Sequence, residues 1–259
     1  MKTSMNLLLW ATHVTSEHFP ILAKLKQAGY DGVEIPVFEG DAKHFQSIKK
    51  ELDNQGLGCT TVTIATPDAN PISPDAGIRK AAGERLKWAI EMTATLGGEM
   101  MCGPYHSPLA VFSGSGPTGD EKKRAAEVLR GAAEEAKKNN LKLCIEYLNR
   151  FECYFLTTAA DAKALVQAVD HPNFRTMYDT FHANIEEKDQ ARAIKELAPH
   201  FIHVHISEND RGTPGTGQVH WDPVFKALKE VKYDGWLTIE AFGRALPDLA
   251  AATRVWRDL

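Results

Sequence analysis

The chain has 259 residues, a formal net charge of −4 and a pI near 6.2. That length holds one α/β barrel with a sizeable core, while the mild acidity and the lack of a long basic run argue against a surface that tracks nucleic-acid phosphates. Small neutral or polar substrates fit better, with no nucleic-acid or membrane partner. No apolar stretch reaches membrane-spanning length, and MKTSMNLLLWATHV lacks a full signal-peptide core. Cys59, Cys102, Cys144 and Cys153 show no C-x-x-C spacing, so reduced, buried thiols in a soluble cytoplasmic protein are expected.

In chain order, short apolar or β-branched runs alternate with amphipathic stretches, the pattern of a parallel sheet with crossover helices. The first strand is predicted over residues 5–10, followed by a helix ending near Gly29. Strands at 32–37 and 58–65 bracket a helix that stops at Gly56. Ser73-Pro74 reads as the start of the next helix and Gly97-Gly98 as its end, before a strand at 99–103. The connection 104–119 is long and contains GSGPTG, which matches G-x-G-x-x-G in form only, since it follows a loop and holds Pro117. The charge-rich stretch DEKKRAAEVLRGAAEEAKKNN is apolar on one side and reads as an outer helix. Further strands are predicted at 142–148, 175–180, 201–207 and 236–242. The long connection 207–220 carries GTPGTG, read as a flexible lid, and Trp221-Asp222-Pro223 looks like a helix start. A short last helix is expected over 246–259. Eight such pairs predict a closed (β/α)8 TIM barrel, one domain spanning 1–259.

Four of these strands end in metal-binding residue types: Glu146 in LCIEYLNRFE, Asp179 in MYDTFHANIEE, His205 in HVHISENDRG and Glu240 in LTIEAF. Barrel enzymes keep their chemistry at the C-terminal strand ends, where ligands 33, 26 and 35 residues apart can meet at one ion. Three carboxylates and an imidazole suit one divalent metal, with Mn²⁺ or Co²⁺ favoured over Mg²⁺ or Zn²⁺. On chemistry alone, such a site is compatible with hydrolysis, isomerisation or epimerisation.

The motifs E-x-x-N-R-F-E at Glu146–Glu152, D-T-F-H-x-N-I-E-E at Asp179–Glu187, H-x-x-E-x-x-R at His205–Arg211 and E-x-F at Glu240–Phe242 resemble the ketose 3-epimerases, typified by D-tagatose and D-psicose (allulose) 3-epimerase, among the xylose-isomerase-like barrels. The resemblance runs, more weakly, from the first strand to the V-W-R-D segment near the C-terminus. It implies that Glu146, Asp179, His205 and Glu240 hold the metal and that Glu146 and Glu240 are also the catalytic acid/base pair. It further implies that Glu152, His182 and Arg211 hold the substrate, with Trp10 and Phe242 shaping the sugar pocket. The loop around Tyr105–Phe112 lacks the family's usual tryptophan, and family members commonly run past the V-W-R-D segment. The implied activity interconverts C3 epimers of free ketohexoses or ketopentoses, such as fructose/psicose, tagatose/sorbose or ribulose/xylulose, and the implied assembly is a homodimer or homotetramer.

The chemistry agrees with the resemblance. Epimerising a carbon beside a ketone needs a proton removed from one face and returned to the other, hence two carboxyl groups, and a divalent ion to stabilise the enediolate between them. An aldose–ketose or hydroxypyruvate-type isomerase would need the same groups, and fold alone would also permit an endonuclease-IV-like hydrolase or a barrel that only binds sugar. Glu34 in GVEIP is either a brace for the metal shell or a structural ion pair, and is not counted in the site. His203 is a supporting or core histidine, and His13, His106 and His220 are expected as solvated loop residues.

Overall fold

The computed structural model describes residues 1–242. Eight parallel strands close into a barrel in sequence order: β1 (Lys2–Asn6), β2 (Gly32–Pro36), β3 (Gly58–Val62), β4 (Met100–Gly103), β5 (Lys142–Ile145), β6 (Phe174–Asp179), β7 (Phe201–Ile206) and β8 (Trp236–Ile239), with β8 pairing back on β1. The helices α1 (Phe19–Gln27), α2 (Ala42–Gln55), α3 (Ala76–Leu96), α4 (Gly119–Lys138), α5 (Ala159–Val169), α6 (Thr180–Glu186), α7 (Gln190–Leu197) and α8 (Trp221–Glu230) fill the crossovers. Two of them, α6 and α7, share the β6–β7 connection. The helix expected over 246–259 and the V-W-R-D segment lie outside the described residues.

The first strand sits earlier in the chain than its apolar run suggests. Leu7–Leu9 form a 3₁₀ turn because the Asn6 side chain accepts a hydrogen bond from the Leu8 amide, which ends β1. α3 starts at Ala76 and not at Ser73-Pro74, because Asp75 caps the amides of Gly77 and Ile78. α4 begins with a Thr118/Glu121 capping box and buries Ala125, Leu129, Ala132, Ala133 and Ala136 on one stripe, as an outer barrel helix should.

Two apolar layers result. The larger lies between sheet and helices, and a smaller one of Val62, Met100, Cys102, Cys144, Met177 and Trp236 fills the barrel itself. The Trp236 indole closes the N-terminal end, lying so near Gly32 and Gly58 that a Cβ on either would approach it to 2.6 or 2.9 Å. The buried polar side chains Asn6, Glu34, Thr60, His203 and His205 therefore lie above this plug, in the middle and the C-terminal end of the barrel. All four cysteines are buried and free. Among the described residues, no helix is long and apolar enough to cross a membrane.

Gly103 ends β4 at φ 121°, and a Cβ there would lie 2.1 Å from the Thr63 carbonyl oxygen. Its own carbonyl accepts the Glu146 amide at 3.0 Å. Gly103→Ala is expected to destabilise the barrel by at least about 2 kcal/mol, read as a lower urea midpoint, because both the backbone conformation and the space are denied to a side chain.

Candidate functional site

Four consecutive strands deliver the four candidate ligands to one point. Glu146 follows β5, Asp179 ends β6, His205 is the penultimate residue of β7 and Glu240 follows β8. All four are buried, and one donor atom from each lies within 4.8 Å of the others. His205 Nδ1 faces Glu240 Oε1 at 3.4 Å, Asp179 Oδ2 at 3.7 Å and Glu146 Oε1 at 3.8 Å. That nitrogen is buried and has no hydrogen-bond partner.

The local sequence explains how Asp179 serves two structures. One oxygen caps α6, accepting from the Phe181 and His182 amides, and the other turns into the cluster. Three residues on, helical geometry brings His182 back over the site, with Nε2 at 3.5 Å from Glu146 and 3.8 Å from Asp179. The backbone amide of Asn149 donates to His182 Nδ1 at 3.0 Å, so the ring proton resides on Nε2, which points at the cluster as a donor. Burial lowers the His182 pKa to about 3 and keeps the ring neutral. Asn149 also donates to Glu152 at 2.9 Å, linking two of the sequence-derived substrate residues.

Arg211 reaches Asp179 Oδ2 at 3.1 Å, Ser207 Oγ at 2.8 Å and Glu240 Oε2. Its guanidinium lies 3.8 Å from the Phe181 ring centroid and 5.2 Å from that of Phe242. Its backbone is left-handed, φ 59°, a conformation costing about 1–3 kcal/mol and held here by bonds to the Glu208 carbonyl and the Phe242 amide. Trp10 follows the turn after β1, half-buried against the core.

Charge explains the directions of the shifts. Burial, then the neighbouring Glu240 carboxylate, raises the Glu146 pKa well above the carboxylate range. Burial would raise Asp179 too, but Arg211 and His182 outweigh it and hold that carboxyl low. Burial opposes the charged form of His205, yet Glu240 and Glu34 push its pKa well above the ordinary value. The cluster thus recruits protons where it lacks positive charge.

These residues fit a divalent cation. Ligands about 2.1 Å from a common ion stand roughly 3.0–3.5 Å apart, close to the separations seen around His205 Nδ1, and three oxygens with one imidazole suit a borderline-hard metal. An ion would supply the charge that protons now provide. A second group of potential ligands, Glu34, Cys102, His203 and His205, lies directly beneath. There, Glu34 already accepts from Asn6, Thr60, Cys102, His203 and His205. Burial would raise its pKa, but His205 and His203 hold it well below the usual range, so the carboxylate is charged and hydrogen-bonded.

Several site residues were invisible to motif reading. Phe181, Asn149, Asn6 and Glu208 make their contacts in space, although all of them but Asn6 stand inside the quoted motifs. His106, expected in solvent, is fully buried with Nε2 unpartnered. The connection 207–220, read as a flexible lid, is pinned by Glu208, whose carboxylate accepts from Gly215 N, Val219 N and Trp221 Nε1 at 2.8, 2.8 and 3.0 Å.

The family described as xylose isomerase-like TIM barrel matches residues 22–259. The ketose 3-epimerase of Arthrobacter globiformis is 32% identical over 100% of this chain and 90% of its own length. The L-ribulose 3-epimerase of Mesorhizobium japonicum is 32% identical over 96% of this chain and 84% of its own. The crystal structure of D-psicose 3-epimerase with D-tagatose from Clostridium cellulolyticum H10 superposes with a TM-score of 0.88 at 27% identity, covering 100% of this chain and 91% of that one. This chain belongs to the ketose 3-epimerases, a family of carbohydrate isomerases built on the xylose isomerase-like barrel.

Two outcomes are expected. Glu208→Ala should raise hydrogen exchange at the Gly215 and Val219 amides at least tenfold, measured by mass spectrometry, because their shared acceptor is gone. Burial lowers the His106 pKa to about 3, against an ordinary value of 6.5, so the unfolded chain binds the extra proton between those values. Stability attached to the neutral ring is full above pH 6.5 and is lost as pH falls towards 3. The stability gap between wild type and His106→Gln should therefore shift against wild type by roughly 1.4 kcal/mol per pH unit below 6.5, read from urea unfolding at several pH values.

Proposed function

We propose that this protein is a metal-dependent ketose 3-epimerase acting on free ketohexoses or ketopentoses, with Glu146, Asp179, His205 and Glu240 holding one divalent ion, Mn²⁺ or Co²⁺ before Mg²⁺. The observation that carries this reading is the order of the ligands. They stand on β5, β6, β7 and β8, so Glu146 and Glu240 occupy the two ends of an arc, with Asp179 and His205 between them. A sugar lying over that arc has a carboxylate on either side of it.

A divalent ion bound there supplies electrophilic stabilisation for negative charge developing on the sugar oxygens. The chain's own residues supply the rest. One of Glu146 and Glu240 takes the C3 proton from one face, and the other delivers a proton to the opposite face, which inverts the centre. Arg211 Nη2 and His182 Nε2, both donors in the tautomer fixed by Asn149, lie 3.1 Å apart with no acceptor between them. A substrate hydroxyl or carbonyl oxygen placed against both would satisfy them. Glu152, tied to the same Asn149, is placed to accept a sugar hydroxyl, with Trp10 and Phe242 as apolar walls. Arg211 would exchange its bond to Glu240 for one to the sugar and free that carboxylate for proton transfer. The four buried thiols suit a reducing compartment, the cytoplasm.

Incubating the Mn²⁺-loaded enzyme with D-fructose, D-tagatose and L-ribulose in D₂O tests this reading. One solvent deuteron should appear at C3 of the epimer. Glu146→Gln and Glu240→Gln should each lower turnover by at least 10³-fold while the fold, followed by circular dichroism, is kept. Turnover without deuterium at C3 would rule out the two-carboxylate scheme, and an aldehyde product would make the enzyme an aldose–ketose isomerase.

A further inference from the structure

Glu34 and Asn6 have no place in the reaction just described, yet each of them holds one of the candidate ligands. Glu34 lies on β2, fully buried, one layer below the candidate ligands. Its Oε1 accepts from Asn6 Nδ2 at 3.0 Å and His205 Nε2 at 2.8 Å. Its Oε2 accepts from Thr60 at 2.8 Å, His203 Nε2 at 2.9 Å and Cys102 Sγ at 3.1 Å. An ionised carboxylate only accepts, so His205 must donate from Nε2, and the nitrogen left to face Glu146, Asp179 and Glu240 is Nδ1. Turning the ring over would replace that donor with a carbon and remove Nδ1 from the cluster.

Asn6 extends the constraint to a second ligand. Its Nδ2 donates to Glu34 Oε1 and also, at 3.1 Å, to Glu240 Oε1, the oxygen nearest His205 Nδ1. The amide cannot flip, because its Oδ1 is committed to the Leu8 backbone amide at 2.9 Å. The start of the 3₁₀ turn thereby decides which way the side chain points, and the side chain decides which Glu240 oxygen is held.

We propose that Glu34 is the positioning residue of the metal centre, fixing the His205 ring with Nδ1 towards the ion and, through the Asn6 amide, aligning Glu240 Oε1 beside it. The proposal rests on Glu146, Asp179, His205 and Glu240 being the ligands. It treats the group Glu34, Cys102, His203 and His205 as hydrogen-bonded support and not as a second ion site, because both oxygens of Glu34 are already occupied by donors from β1, β3, β4 and β7. Removing a carboxylate that orients a ligating histidine typically weakens metal binding 10–100-fold.

The test is calorimetric titration of the metal-stripped full chain with Mn²⁺, with far-UV circular dichroism and the metal-free melting temperature recorded for each variant. Wild type should bind one equivalent. Glu34→Gln keeps the side chain's shape and should weaken Mn²⁺ binding 10–100-fold in a folded protein, and Asn6→Ala should weaken it about 3–10-fold. A purely structural role would lower the melting temperature and leave the Mn²⁺ affinity of the folded protein unchanged. Affinity within twofold of wild type in folded Glu34→Gln overturns the proposal. Should Glu34→Gln not fold, Asn6→Ala decides by the same twofold limit. Two equivalents on wild type, one of them lost in Cys102→Ser, would also overturn it by making Glu34 a ligand. A wild-type chain that binds no Mn²⁺ removes the metal reading itself, and this proposal with it.

Discussion

Three buried carboxylates converging on one imidazole nitrogen are the constraint around which this molecule is arranged. Each costs several kcal/mol to take out of water unless positive charge comes with it. The chain supplies Arg211 and His205, while burial and the neighbouring Glu240 carboxylate raise the Glu146 pKa well above the carboxylate range. Much of the surrounding structure serves to keep that compensation in place. The left-handed backbone of Arg211, the rings of Phe181 and Phe242 near its guanidinium, and the loop gathered by Glu208 all aim one cation at the cluster.

The barrel divides its labour by halves. β5 to β8 deliver the four candidate ligands, whereas β1 to β4 carry Asn6, Glu34, Thr60 and Cys102, which form the hydrogen-bonded layer beneath them. Parallel closure makes this possible, since β1 lies beside β8 and hands Asn6 directly to Glu240. The Trp236 plug below keeps this polar layer away from the open N-terminal end. Polar networks of this kind are stabilising only when their members are satisfied, and Glu34, with five donors, meets that condition.

The parts of this arrangement legible in the sequence are those written in local patterns. Alternation of short apolar runs with amphipathic stretches sufficed for the barrel, and a carboxylate or imidazole at the end of an apolar run sufficed for Glu146, Asp179, His205 and Glu240. Where two local signals compete, the pattern misleads: LLLW reads as strand, but the Asn6 side chain captures the Leu8 amide and makes a 3₁₀ turn. Glu34 stayed ambiguous because a single glutamate in GVEIP names none of its partners, which come from four other strands. His106 looked like a loop residue in water because burial in the β4–α4 connection depends on Phe155, which is distant in sequence. Glu208 stood in the H-x-x-E-x-x-R motif with no role attached, and only the folded loop shows that its two oxygens collect amides up to 11 residues away.

The Asn6–Glu240 hydrogen bond joins residues 234 positions apart across the seam where the first and last strands meet. The candidate centre is consequently complete only once the first and last strands have paired. Glu240 arrives only with β8, and its partner waits on β1, so a chain emerging residue by residue has Glu146, Asp179 and His205 in hand but no finished set until both ends of the barrel have found each other. Loading with an ion would then count closed rings and not merely collapsed chains. Such coupling would make metal occupancy a measure of folding quality, and it would tie Asn6, close to the N-terminus, to the completeness of the candidate centre.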